Sequence, residues 1–302
     1  MRVMAGRENE SRQMNDRRSY LMMVGSLLIV ATIGIFRRSI PLSSPLLAFF
    51  RGAIGGISLL IYLRLRGNVS RNAVERKKFF GLVLNGAFLG INWILLFEAF
   101  NYTTIAKATL CYYMEPTIVL LLSPLLFGEK LSGRKLLCAA AALAGMVLVS
   151  GVISPEGSGA GDLRGVCLGL GAACFYSLVV ILNKKIGAVD AWQKTVIQLL
   201  SAAAVLLPYL LLNGDFRGVR YDGKLILMLL VVGIIHTGVV YVLYFGSMSG
   251  LKAQTISTLS YIDPVAAMIV SAAVLGERLS AVGIIGAVLI IGSALISELD
   301  AG

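Results

Sequence analysis

The sequence predicts an all-α polytopic membrane protein, with ten transmembrane helices arranged as two inverted five-helix repeats. Three observations lead there. The chain is 57% hydrophobic and only 14% charged, where a soluble domain carries about a quarter charged residues. Its charges cluster in short stretches, leaving apolar runs of about 20 residues, enough to cross a bilayer. Its second half repeats the first at a shift of 148 residues.

In chain order, the apolar segments run roughly over 19–37, 44–63, 79–101, 103–127, 131–152, 163–184, 190–212, 223–247, 252–275 and 279–297. Residues 1–18 are polar, with five Arg, and are expected to form a short disordered cytoplasmic tail. The apolar run after them ends in Arg37-Arg38 and is too long and wrongly flanked for a cleaved signal peptide. It is expected to stay as the first span. The clear breaks are "RRSIPLSSP", "RLRGNVSRNAVERKK", "GEKLSGRK", "SPEGSGAGDLRG", "NKKIGAVD" and "NGDFRGVRYDGK". Those at 101–103 and 247–252 are short and imply tight hairpins. The expected organisation is a first repeat over 19–152, a linker over 153–162 and a second repeat over 163–298, with no room for a soluble domain.

Lys and Arg set the orientation. With the N-terminus in the cytoplasm, 18 basic residues fall on the cytoplasmic side and seven outside, leaving Arg51 and Lys107 within spans. Both termini are therefore expected inside, in a multi-pass protein of the cytoplasmic (inner) membrane. The net charge of +11 follows this loop pattern, which argues against nucleic-acid binding. Cys111, Cys138, Cys167 and Cys174 all lie in apolar segments without paired metal-ligand spacing and read as small core residues.

The repeat is clearest in "CYYMEPTIVLLLSPLLFGEK" (111–130) and "LSYIDPVAAMIVSAAVLGER" (259–278), which overlay without a gap. Tyr113 meets Tyr261, Pro116 meets Pro264, Ser123 meets Ser271, and Gly128-Glu129 meets Gly276-Glu277. Further upstream, Gly90 meets Gly238 and Phe97 meets Phe245. Five spans per repeat is odd, so the second copy enters the membrane from the opposite side. Inverted repeats place a site near the midplane where the halves meet, and rocking of one half on the other opens it to alternate sides. The duplication thus argues for a carrier.

The same two stretches, extended through Leu131-Ser132 and Leu279-Ser280, resemble the paired repeats of the EamA-type branch of the drug/metabolite transporter superfamily. So do "LLAFFRGAIGGISLL", with Arg51, and "GLKAQTISTLSY" entering the ninth span. The resemblance covers almost the whole chain after the tail. It implies a ten-helix carrier, often an exporter of small metabolites, with a central cavity between the halves. It does not specify the substrate. Leu199, beside Gln198, stands where the first half has Arg51, so any role of that arginine belongs to one half.

Glu115 and Asp263 lie near the middle of their spans, where a charge costs about 2.5–3.5 kcal/mol on insertion scales. Pro116 and Pro264 remove a backbone donor and strand the carbonyls of Tyr112 and Ser260, which is tolerated at this depth only against protein or a wet cavity. The recurrence of both pairs points to a shared mechanical role: paired hinges beside the pathway, with substrate contact open. Arg51 needs an acid, carbonyls or an anionic ligand; a structural ion pair and a substrate contact are both compatible with it. Lys107 can snorkel outward or point inward. His236, the single histidine, reads as a hydrogen-bonded core residue or a proton relay. Asn92, Trp93, Tyr112, Tyr176, Tyr241 and Ser260 suit the lining of a cavity for a small amphipathic solute. Tyr113 and Tyr261, two residues before the acids, fall on the far side of the helix from them. Gly52/Gly56 and Gly165/Gly169/Gly171 permit close helix approach. The Gly-Glu-basic-Leu-Ser elements read as turns, with Gly128 and Gly276 ending helices and Ser132 and Ser280 capping the next.

No nucleophile–base arrangement or metal cluster is legible, and the expectation is a protein without cofactor or enzymatic activity. The leading reading is a secondary transporter moving a small polar or amphipathic metabolite (an amino acid or similar) by alternating access, with export as the expected direction. A proton is a possible coupling ion, and the state is a monomer or weak homo-oligomer in the lipid bilayer. A membrane-embedded enzyme on a lipid-linked substrate and a channel are the alternatives.

Overall fold

A computed structural model of the chain describes residues 2–33, 36, 39–65, 74–103, 108, 111–150, 160–187, 189–275 and 281–299. Among them every regular element is a helix: α1 (Arg2–Ala31), α2 (Ser44–Leu65), α3 (Arg76–Ala99), α4 (Glu115–Phe127), α5 (Gly133–Ser150), α6 (Ala160–Ile186) and α7 (Ala191–Asn213). Then come α8 (Gly223–Gly233), a π-helical turn (Ile234–Val239), α9 (Val240–Ser247), α10 (Ala253–Ser260), α11 (Ile262–Leu275) and α12 (Ala281–Leu299). Five stretches are long and apolar enough to cross a membrane: Ser44–Leu65, Arg76–Ala99, Leu163–Ile186, Ala191–Asn213 and Gly223–Ser247. Glu115–Phe127 and Ala281–Ser293 are apolar but shorter. Arg37-Arg38, Lys107, the linker up to residue 159 and Gly276–Ser280 lie outside the described residues.

The tail is not irregular: α1 begins at Arg2. Residues 2–18 are rich in Arg, Met and Glu, which have high helix propensity, so the helix of the first apolar run includes them.

The two acid-proline sites are breaks rather than kinks. Tyr113 and Met114 form a turn, Met114 N–H reaches back to Cys111 O at 3.1 Å, and α4 starts afresh at Glu115. Pro116 therefore occupies the first turn, where a missing N–H removes nothing from the helix. The second half does the same at Tyr261, between α10 and α11. Beside the first break, Ser257 of the second half donates its hydroxyl to Pro116 O.

Helix packing obeys the 148-residue shift. α3 packs on α6 as α1 packs on α9, and α3 on α7 as α2 on α8 and the π turn. Two pairs are their own mates: α2 with α7, and α5 with α12. An element packed against its own copy is the mark of a two-fold relation between halves. Close approach depends on missing side chains. A Cβ on Gly86 would lie 2.4 Å from Gln198 O in α7, and one on Gly145 2.6 Å from Gly286 O in α12.

Candidate functional site

Between the halves lies a cavity of about 200 Å³. Arg51, Trp93, Tyr112 and Glu115 line it from the first half; Tyr176, Tyr241, Ser260 and Asp263 line it from the second. The two expected residues outside this lining are Asn92 and His236. Asn92 is fully buried and donates to Ala172 O of α6 at 2.7 Å, a helix-to-helix tie. His236 sits in the π turn, with Nε2 at 2.8 Å from the Thr32 hydroxyl and its ring edge against Phe36. Thr32 also bonds Ile29 O at 2.7 Å. A hydroxyl has one proton, so if it goes to Ile29 O, Nε2 is the donor to Thr32.

Arg51 has no carboxylate among the described residues within 4.0 Å. Its Nε donates to Thr237 Oγ1 at 3.1 Å, and its guanidinium stands 5.9 Å from the centre of the Trp93 ring. The π turn makes this possible. Thr237 gives its own hydroxyl proton to Val232 O, five residues back, at 3.0 Å, leaving its oxygen to accept from Arg51. An extra residue in a helix re-aims side chains in this way and recurs at functional sites. The expected ion pair is therefore absent among the described residues, and Arg51 keeps donor capacity toward the cavity.

The two acids are treated differently. Tyr113 crosses between halves and donates to Asp263 Oδ2 at 2.9 Å. Glu115 is buried, and its Oε1 has no partner among the described residues. Around them Tyr112 lies against Tyr176, with ring centres 5.7 Å apart, and Tyr244 lines the same cavity. Trp93 and Tyr241 meet edge to face at 6.4 Å. Helical spacing puts Tyr113 on the far side from Glu115, but Tyr113 sits in the turn before α4 and lines the same cavity as Glu115.

Phe97 lines the cavity and also a second, polar recess of about 630 Å³ formed with Ser43, Glu98, Tyr209 and Asp215. Its repeat mate Phe245 is fully buried. At the opposite end the halves are tied together. Glu129 accepts from the N–H groups of Ala253 and Gln254 at 2.9 and 3.2 Å, capping α10. Gln254 donates to Ser123 at 2.9 Å and accepts from Lys135 Nζ at 2.6 Å. Turn formation alone therefore does not describe the "GEK" element. Gly128 (φ 66°) does end α4, and Ser132 Oγ accepts from Lys135 N at 3.3 Å, but Glu129 is a cross-half latch. The sequence signal for it was its place at a tip opposite a helix start in the inverted copy.

A helical protein with a cavity lined by charged and aromatic residues at the junction of two related halves has the architecture expected of a membrane carrier. The EamA-like transporter family matches the chain twice, over residues 17–151 and 163–298, and the chain belongs to that family. It is 29% identical over 258 residues to the uncharacterized transporter YxxF of Bacillus subtilis, covering 85% of this chain and 82% of that protein. It is 27% identical to an uncharacterized transporter of Archaeoglobus fulgidus, covering 91% and 94%. With protein RarD of Salmonella typhi it shares 27% over 226 residues, covering 73% and 72%. A solved crystal structure, 22% identical, superposes with a TM-score of 0.80 over 94% of this chain and 98% of that one.

Proposed function

We propose that the protein is a secondary transporter with ten spans in two inverted five-helix repeats. It moves a small zwitterionic metabolite of the amino-acid kind outward across the cytoplasmic membrane by alternating access. Both termini face the cytoplasm, and the protein has no enzymatic activity of its own. A proton is a candidate coupling ion. The observation that carries this reading is the pairing, in one cavity, of an arginine with no carboxylate partner among the described residues and a glutamate with an unpartnered oxygen. An anionic group can meet Arg51 and a cationic group Glu115, while the tyrosines and Trp93 cover an apolar body. The volume of about 200 Å³ is below the roughly 300–1,000 Å³ of drug-sized sites, which fits a small cargo. Glu115-Pro116 and Asp263-Pro264 serve as the paired hinges.

The test is counterflow in liposomes containing the purified protein, with labelled amino acids, nucleosides and sugar phosphates as the panel. Saturable counterflow of an amino acid is the expected outcome. A non-saturating steady current would make the protein a channel, and counterflow of sugar phosphates alone would reject the zwitterion.

A further inference from the structure

The two halves place the same residues, Tyr113 with Tyr261 and Glu115 with Asp263, in mated positions, so a symmetric structure would contain two crossed pairs. One exists: Tyr113 donates to Asp263 at 2.9 Å. Its mate would be Tyr261 on Glu115. Yet the Tyr261 hydroxyl bonds Thr117 Oγ1 instead, at 2.6 Å. The repeat position of Thr117 in the second half is Val265, which offers no hydrogen bond, so Tyr113 meets no such competitor. Thr117 is buried at 8% exposure and Tyr261 at 2%; neither lines the cavity.

We propose that Thr117 is a positioning residue: by holding the Tyr261 hydroxyl it leaves Glu115 as the open acid of the cavity, the acceptor for a cationic ammonium group, while Tyr113 fixes Asp263 as a strut between the halves. The assignment of the ammonium group rests on the cavity being the cargo site; the asymmetry of the two acids does not. A single hydroxyl thus converts a duplicated, symmetric pair into a recognising acid and a structural one.

The experiment uses the full-length protein in detergent and dicyclohexylcarbodiimide as probe. The carboxyl oxygen attacks the carbodiimide carbon, the carboxyl proton moves to a carbodiimide nitrogen, and rearrangement leaves a stable acylurea that peptide mass spectrometry locates. In the wild type Glu115 should be modified about fivefold faster than Asp263, the ratio that one ordinary hydrogen bond sets. Thr117→Val should release Tyr261 onto Glu115 and slow its modification by about fivefold, with Asp263 unchanged. Adding Tyr261→Phe to Thr117→Val should restore the wild-type rate, and Thr117→Ser should match wild type. A merely structural role for Thr117 predicts no such restoration, because the double variant removes more packing than the single. Equal rates at the two acids in the wild type, an unchanged rate in Thr117→Val, or a double variant as slow as the single would each overturn the proposal. If this labelling pattern holds while every amino acid in the counterflow panel is silent, the positioning role stands and the cargo reading falls.

Discussion

At the scale of single residues, Arg51 decides what the cavity accepts. Its guanidinium cannot lose its charge at this depth, and Thr237 engages only one of its five N–H donors. Arg51→Gln should keep the fold, because no ion pair to a described carboxylate is broken. It should weaken a carboxylate-bearing amino acid by about ten- to a hundredfold, the equivalent of a charged hydrogen bond of roughly 1.5–3 kcal/mol. Competition of the amino acid against its own amide in counterflow reads this directly. A parallel loss for both would remove Arg51 from recognition. Much of this site was legible in the sequence, since ionisable and aromatic groups inside apolar runs are rare and stand out. Arg51, Trp93, Tyr112, Glu115, Tyr176, Tyr241, Ser260 and Asp263 share one cavity. What stayed hidden are the partners that are ordinary residues. Thr237 and Thr117 carry no sign in composition, and their roles come from a π turn and from a contact between halves 144 residues apart in sequence.

At the scale of elements, each acid-proline pair is the start of a helix, and this changes what the proline does. In a continuous helix Pro116 would cost about 3 kcal/mol. At the first turn of α4 its absent N–H is one of the donors a helix start leaves unpaired anyway. Pro116→Ala should therefore leave stability within about 1 kcal/mol of wild type, measured as the thermal midpoint in detergent; a large stabilisation would mean that the segment is held as a kinked helix. Hydropathy could locate the fourth and ninth segments but not their breaks, because apolar residues continue across Tyr113 and Tyr261 and the local pattern is unchanged. The glycine contacts are a second element-scale determinant. Gly86→Ala forces a methyl onto Gln198 O, whereas the nearest atom to a methyl on Gly171 would be Leu95 Cδ1 at 3.5 Å. Gly86→Ala should cost about 1–3 kcal/mol and Gly171→Ala almost nothing, again by thermal midpoint. Both glycines look alike in sequence; only the distance to the neighbouring helix separates them.

At the scale of the whole molecule, the two ends of the cavity differ in how firmly the halves are joined. At one end Phe97 alone, among the described residues, stands in both the cavity wall and the neighbouring polar recess. At the other, Phe245 is fully buried and Glu129, Lys135 and Gln254 tie the α4–α5 turn to the start of α10. An inverted repeat supplies each end with a version of the same parts, but not of the same strength. The mates of Gln254 and Lys135 are Ala106 and Gly283, which have no side chain able to make those bonds. The Lys135–Gln254 reinforcement of the Glu129 latch thus has no side-chain counterpart in the repeat, and under the proposed orientation the latch lies on the cytoplasmic side. Charge-assisted bonds of this kind contribute roughly 1.5–3 kcal/mol, enough to change the ratio of two conformations by about ten- to a hundredfold. Glu129→Ala should therefore move the population toward a form open at the latch end. Spin labels at Lys130→Cys and Ser249→Cys, in a background without the four native cysteines, report it as a new, longer distance in pulsed dipolar spectroscopy. Gln254→Ala should give a smaller fraction of the same distance, because it leaves the Glu129 cap on α10 in place. A distance distribution that both substitutions leave unchanged would mean that the latch is a static brace, and that the molecule opens at neither end through it.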